Sequence, residues 1–256
     1  MVGFADLHCH MLYGIDDGAS SRDEMFEMLE ASYSDGTRII CFTPHFNPYA
    51  MTSGENGIRE AMEKLRFDTD AVYAETYYAV KKRYPDVRLF LGNEIMYHSE
   101  MVSELKEGYC KPLSKTKFVL VEFFENTDRY EILRGLNNIS SSGYTPILAH
   151  AERYESLRND DALIDKIAES GTLIQLNAGA VTGKRGIGIH LYCKKLLKKN
   201  IVSLIASDAH DVKFRPPILS DCYKTITRIC GTEAADKIML SNPRKILSGN
   251  FIFQEY

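Results

Sequence analysis

The sequence predicts an α/β fold with a parallel sheet covered by helices, and three observations carry that reading. Short, nearly all-apolar stretches alternate with longer ones of helical periodicity, as a parallel sheet buried on both faces requires. The alternation repeats about seven times with no low-complexity linker or internal repeat, so one domain is expected over residues 1–256. Polar residues of one chemical kind recur at the ends of the apolar stretches, the rim on which parallel α/β folds build their sites. Seven units point to an incomplete relative of the eightfold barrel. A doubly wound open sheet has the same periodicity and stands as the alternative.

Taken in order, the first strand is expected near residues 4–9, in FADLHCH. A helix over about 22–35 follows, with Ser21 and Glu24 at capping-box spacing and Gly36 just past its end. Its Met25, Met28, Leu29 and Tyr33 recur at helical spacing and are assigned to packing. TRIICFTP (37–44) reads as a buried strand, the loose MTSGENG as a loop, and 55–83 as one long helix. VRLFLGNE (87–94) and KFVLVEF (117–123) are strands, and a helix over 128–142 carries Ile132, Leu133, Leu136 and Ile139 up to Gly143. YTPILAH is the fifth strand, 160–170 a helix, and TLIQLNAG the sixth strand. A Gly- and Lys-rich loop leads to a helix ending at Asn200; IVSLIASD is the seventh strand, and helices fill the remainder.

Composition excludes several classes. A net charge of -4 gives no electrostatic case for nucleic-acid binding. No apolar run approaches the roughly 20 residues of a membrane helix, and the N-terminus lacks the basic start and apolar core of a signal peptide. The six cysteines form no CxxC pair and sit mostly in apolar segments, so reduced, buried thiols in a cytoplasmic protein are expected.

The first strand poses the chemical question. His8 and His10 lie one residue apart and so share a face of a strand, with Asp16 and Asp17 close behind. Further ligand types then recur: His45 after the second strand, Glu94 on the third, Glu122 on the fourth, His150 on the fifth, Asp208 and His210 on the seventh. Each taken alone has a plain structural reading, such as a helix cap for Asp208. Glu122 is harder to dismiss, because a carboxylate inside KFVLVEF is costly to bury without a cation. Together with Asp17 they make nine candidates, too many for one ion of four to six ligands, so two or three are expected. Imidazole mixed with carboxylate favours Mn, Fe or Zn over Ca and is too nitrogen-rich for a site built only for Mg. Three dications against four carboxylates and a hydroxide leave a positive remainder that draws anionic substrates. Arg153 and Arg215, close in sequence to His150 and His210, can reach that rim and clamp phosphate oxygens.

DLHCH with IDDG, then TPH, GNE, VEF, AHAERY, SDAH with RPP, and SNPRKIL resemble, in this order and from Asp6 to about Leu247, the PHP (polymerase and histidinol phosphatase) superfamily. Within it they look like the bacterial manganese-dependent protein tyrosine phosphatases that regulate capsular and exopolysaccharide synthesis. The resemblance implies a distorted seven-stranded (β/α) barrel and three divalent ions, Mn²⁺ by family habit, with Fe, Zn or Mg as alternatives. It allots His8, His10, Glu94 and Asp208 to one ion, with Glu94 bridging to a second held by Glu122 and His150. Asp17, His45 and His210 take the third, and Arg153 and Arg215 match the phosphate-binding arginines. It further implies hydrolysis of phosphotyrosine by a metal-bridging hydroxide, and, as partner, the phosphotyrosine tail of a bacterial tyrosine kinase. Histidinol-phosphate phosphatase, from the same superfamily, is the runner-up.

Two other chemistries fit less well. Cys222 and Arg228 have the count of a cysteine phosphatase, but no glycine lets backbone N–H groups wrap a phosphate, and Cys222, Ile226 and Ile229 share a helical face. An amidohydrolase would carry a Lys for a carbamate bridge at the fourth strand, where Glu122 stands. TGKRGIG (182–188) is not a P-loop and reads as a mobile rim loop whose Lys184 and Arg185 could meet an acidic or phosphorylated peptide.

Overall fold

Each predicted apolar stretch folds as a strand. In the computed structural model, which describes residues 3–250, β1 (Phe4–Asp6) leads into α1 (Arg22–Ser34), β2 (Thr37–Phe42) and β3 (His45–Phe46). Next come α2 (Glu55–Arg83), β4 (Arg88–Leu91), β5 (Glu94–Met96), α3 (Met101–Glu107) and β6 (Phe118–Glu122). They are followed by α4 (Arg129–Ser141), β7 (Thr145–Leu148), the one-turn α5 (Glu155–Arg158), α6 (Asp161–Glu169) and β8 (Leu173–Asn177). The remaining described elements are α7 (Ala178–Val181), α8 (Ile187–Lys198), β9 (Val202–Ala206), α9 (Ser220–Cys230), α10 (Thr232–Asp236) and α11 (Asn242–Leu247). The helical C-terminal remainder expected from sequence is α9 to α11; residues 251–256 lie outside the described residues.

All strand pairs are parallel. One sheet runs β1–β2–β4 and the other β3–β5–β6–β7–β8–β9, yet they are successive parts of one ring. Pro44, which has no N–H to give a ladder, falls between β2 and β3. Backbone bonds carry on across the gap: Gly92 N–H donates to Phe42 O at 2.9 Å and Glu94 N–H to Pro44 O at 3.2 Å. At the far edge a parallel bridge pairs Cys9 with Ala209. There His10 N–H donates to Ala209 O and Asp208 N–H to His8 O, each at 2.8 Å. The seven predicted strands thus return on themselves as a distorted parallel barrel, and the open-sheet alternative fails at this seam.

Local sequence explains the elements that frame the site. Ser21 caps α1, its hydroxyl accepting from Glu24 N–H at 3.2 Å. Glu24 reaches one residue further back than the capping box predicts and accepts from Ser20 N–H at 2.8 Å. The cap anchors the loop that carries Asp16 and Asp17. Alternation along the strands splits the core. Phe118, Leu120, Ile147, Leu173 and Leu204 form one buried cluster with Leu113, Ile246 and Leu247, while Val119, Val121, Ile174 and Ile205 pack outward on Ile132, Leu136 and Ile139 of α4 and on Ile226 of α9. Met25, Met28 and Leu29 pack with Ile40, Phe42 and Val80 in a third cluster, as their spacing in α1 predicts. On β6 the inward row is Phe118, Leu120, Glu122, so one carboxylate stands directly above an apolar floor.

Several boundaries differ from expectation, among them that of VRLFLGNE, which breaks between β4, ending at Leu91, and β5, opening at Glu94. The regular ladder of β1 ends at Asp6 rather than at Cys9, and there the Asp6 carboxylate accepts from Ser207 N–H at 3.0 Å. Ala178 and Gly179, read as strand, open the short helix α7, whose orphan N–H groups begin where Asn177 leaves the sheet.

Candidate metal centre

All nine predicted ligands and both arginines gather at the C-terminal ends of the strands. His8 and His10 lie just past β1, His45 opens β3, Glu94 opens β5, Glu122 closes β6, and His150, Asp208 and His210 follow β7 and β9. His150 (φ 33°) and Asp208 (φ 52°) both adopt left-handed backbone, which non-glycine residues rarely do. The bend turns each strand end inward over the barrel mouth.

Their ligand atoms fall into three overlapping groups, each within 4.8 Å: His8, His10, Glu94 and Asp208; His10, Asp17, His45 and His210; His45, Glu94 and Glu122. The first matches the set implied by the resemblance. The other two are allotted differently, since His10 joins the outer group and His45 faces both carboxylates. His150 stands beside the third group, its Nε2 at 2.8 Å from Glu94 Oε1 and 3.6 Å from Glu122 Oε2. Burial is graded. His8, His10 and Glu94 are fully buried, whereas the Asp17 side chain is 67% exposed, so the centre is sealed below and open on the Asp17 side.

Unsatisfied donors and acceptors fit a cation. Glu94 Oε2 lies 3.0 Å from His8 Nε2, 3.2 Å from His10 Nε2 and 3.2 Å from His45 Nδ1, yet forms no hydrogen bond of acceptable geometry. His8 Nε2 and His10 Nε2 face each other at 3.1 Å. His210 Nε2 is also buried without a hydrogen-bond partner. Lone pairs converging on one small volume suit divalent ions held by imidazole and carboxylate.

Charge points the same way. Burial opposes ionisation of Glu94, but His8 and His45 hold its carboxyl well below the usual range. Burial likewise opposes ionisation of Asp208, and His8 and Arg153 hold it low. Burial and Arg153 push the His150 imidazole down, but Glu122 and Glu94 outweigh them and raise it to about 9. Without ions, the carboxylates thus keep protons on His10, His45 and His150.

The chain immediately around the ligands orients them. Asp16 Oδ2 accepts from His10 Nδ1 at 2.7 Å and from His45 N–H at 2.9 Å, turning His10 Nε2 to the centre. Gly18 is required beside it, since a Cβ there would lie 1.9 Å from His10 O. In HAERY, Arg153 Nη2 binds Asp208 Oδ2, Glu152 accepts from Asn177 N–H at 3.3 Å, and the Tyr154 hydroxyl accepts from Phe123 N–H at 3.2 Å, fixing the residue after Glu122. Arg215 Nη2 donates to Asp208 Oδ1 at 2.7 Å, and its Nε has no partner.

Sequence reading passed over β8, which supplies no ligand. Its Gln175 Oε1 accepts from His8 Nδ1 at 3.1 Å and from His150 N–H at 2.8 Å. Gln175 Nε2 donates to Asn177 Oδ1 at 2.8 Å, and Asn177 Nδ2 to Asp208 Oδ2 at 2.6 Å. The strand is a neutral strap across three candidate ligands. Two polar residues at period two in the apolar LIQLN were the available signal. Cys222, by contrast, is buried in the core on α9, and burial pushes its thiol up, against any role as a thiolate.

Comparison with known proteins agrees with this arrangement. The family model described as "Capsular polysaccharide synthesis, CpsB/CapC" matches residues 4–248. The tyrosine-protein phosphatase CpsB of Streptococcus agalactiae serotype III is 32% identical over 96% of this chain and 99% of its own. The tyrosine-protein phosphatase YwqE of Bacillus subtilis is 29% identical over 98% of this chain and 94% of its own. A crystal structure from work on Bacillus subtilis YwqE and Streptococcus pneumoniae CpsB, described as unique metal-dependent tyrosine phosphatases, superposes with a TM-score of 0.83. It is 26% identical and covers 98% of this chain and 97% of its own. With a barrel of the same form and a match running through every strand, this chain belongs to the CpsB/CapC family.

Proposed function

We propose that this protein is a metal-dependent protein-tyrosine phosphatase that hydrolyses phosphotyrosine, acting on a tyrosine kinase that regulates capsular and exopolysaccharide synthesis. The observation that carries the reading is Asp208, which joins a buried ligand cluster to two guanidinium groups at one rim. His8, His10, Asp17, His45, Glu94, Glu122, His150, Asp208 and His210 would hold up to three divalent ions, with Mn²⁺ suited to the mixed donor set. Such ions supply Lewis acidity that activates water and neutralises charge on phosphoryl oxygens.

The chain's own groups do the rest. Arg153 and Arg215 are held by Asp208 at the rim, where their partly exposed guanidinium groups would meet the phosphoryl oxygens. The buried floor beneath Glu94 and Glu122 keeps bulk water out of the inner groups. Tyrosinate, with a pKa near 10, leaves without strong general-acid help. The five buried cysteines and half-buried Cys230, all free thiols, support a cytoplasmic setting, where the phosphotyrosine tail of the kinase would be met. No helix among the described residues is long and apolar enough to cross a membrane.

The test sets a phosphotyrosine peptide against histidinol phosphate, using chelated protein with Mn²⁺ restored. Metal-dependent turnover of the peptide, lowered about 10²-fold or more by Arg215→Ala, is expected. A clear preference for histidinol phosphate would move the protein to biosynthetic phosphomonoester hydrolysis and overturn the proposal.

A further inference from the structure

Beside Asp208 and Arg215 the rim opens into a cleft of about 250 Å³ whose far wall is the loop after α7. Lys184 and Arg185 of that loop line it, together with Thr182 and Phe214. Gly183 (φ 87°) and Gly186 (φ 102°) bracket the two basic residues in backbone that favours glycine, so the turn projects both from one point. Neither basic side chain has an ion-pair partner among the described residues, in a chain whose net charge is -4. The cleft's carboxylates are already engaged, Asp208 by Arg153 and Arg215, and Asp221 by Lys224 at 3.1 Å. Phe214 is 87% exposed at the mouth, an apolar ring with no intramolecular use.

Two unpaired cations and a bare aromatic ring, in a cleft that Arg215 and Asp208 also line, define an anion subsite next to the reaction centre. An extended peptide advances roughly 3.3 Å per residue, so a chain with its phosphotyrosine at the rim carries neighbouring side chains into this cleft. We propose that the cleft is a specificity subsite for an acidic side chain flanking the phosphotyrosine, with Lys184 and Arg185 as the contacts that select it and Phe214 as the apolar wall beside the peptide. The inference rests on the phosphatase reading above and adds the substrate class to it.

The test compares kcat/KM for phosphotyrosine peptides flanked by Glu, Gln or Lys, using Mn²⁺-loaded wild type, K184A/R185A and K184E/R185E. Wild type is expected to favour the Glu peptide over the Gln peptide by about 5- to 10-fold at low salt, as two partly exposed ion pairs would give. That ratio should shrink as salt screens the pairs, fall to about 1 in K184A/R185A, and invert toward the Lys peptide in K184E/R185E. A Glu-to-Gln ratio that is already 1 in wild type, or that is unaltered in both variants, overturns the subsite while leaving the phosphatase reading intact. Turnover of none of the three peptides by the loaded wild type overturns both.

Discussion

Gln175 and His8 meet inside the barrel, the amide oxygen accepting from His8 Nδ1 at 3.1 Å. A proton held at Nδ1 leaves Nε2 of the neutral ring as a lone pair facing Glu94 and Asp208. One uncharged side chain therefore sets the tautomer of a candidate ligand, and the same oxygen satisfies the His150 backbone.

Gln175→Met removes that acceptor while keeping the volume. It also strands the buried His150 N–H, so stability is expected to fall by about 1–3 kcal/mol, with metal affinity lower by about 10- to 100-fold. Metal titration of the folded variant and its urea midpoint check both. Unchanged affinity would deny β8 its part in the centre.

The two aspartates of IDDG have different work. Asp16 orients His10 from a half-buried position, whereas Asp17 is an exposed member of the outer group. Asp16→Asn should weaken metal binding about 10-fold or more and lower the melting temperature of the metal-free protein. Asp17→Asn should leave that melting temperature near wild type but reduce the metal retained after dialysis. Equal behaviour of the two variants contradicts the assignment.

Metal binding should release protons. His150 in the metal-free protein titrates near 9, and Asp16 and Glu94 raise His10 against the penalty of burial, so at pH 7 these rings carry protons that an ion must displace. Affinity is then expected to rise from pH 6.5 to pH 9. The sign for stability is opposite in the metal-free protein. Its folded His150 lies above the unfolded value of 6.5, so the ion pair's contribution is full below that pH and fades as pH climbs toward about 9. The melting-temperature gap between loaded and metal-free protein should widen across this window. Calorimetry in buffers of different ionisation enthalpy reads the proton release, and none at pH 7 would count against it.

Cys222→Ala tests the rival chemistry. The thiol packs with Ile226 in the core rather than facing a phosphate, so the variant is expected to keep full phosphotyrosine turnover and lose about 1 kcal/mol of stability. Loss of turnover with the fold intact would reopen the cysteine mechanism.

How much was legible follows from what each residue does. Ligand types at strand ends stand out because a carboxylate such as Glu122 or an imidazole such as His8 is expensive inside an apolar run, so its presence signals a partner. The seven apolar units were legible from their alternation with helical periodicity, though not that β3 and β5 stand apart from β2 and β4. The barrel seam was not, because periodicity says nothing about whether the last strand reaches the first; the Cys9–Ala209 bridge and the Asp208 N–H to His8 O bond exist only in three dimensions. The Gln175–Asn177 strap was missed because neutral amides carry no charge penalty and look like ordinary strand polars. The split of the second strand was visible in Pro44, though its use, letting His45 turn toward Glu94 and Glu122, was not.

The most direct test of the central claim is an anomalous difference map at the manganese edge from crystals grown with Mn²⁺. The account predicts peaks among His8, His10, Glu94 and Asp208, beside Glu122 and His150, and next to Asp17 and His210. A fully occupied crystal with no peak touching Glu94 would contradict it.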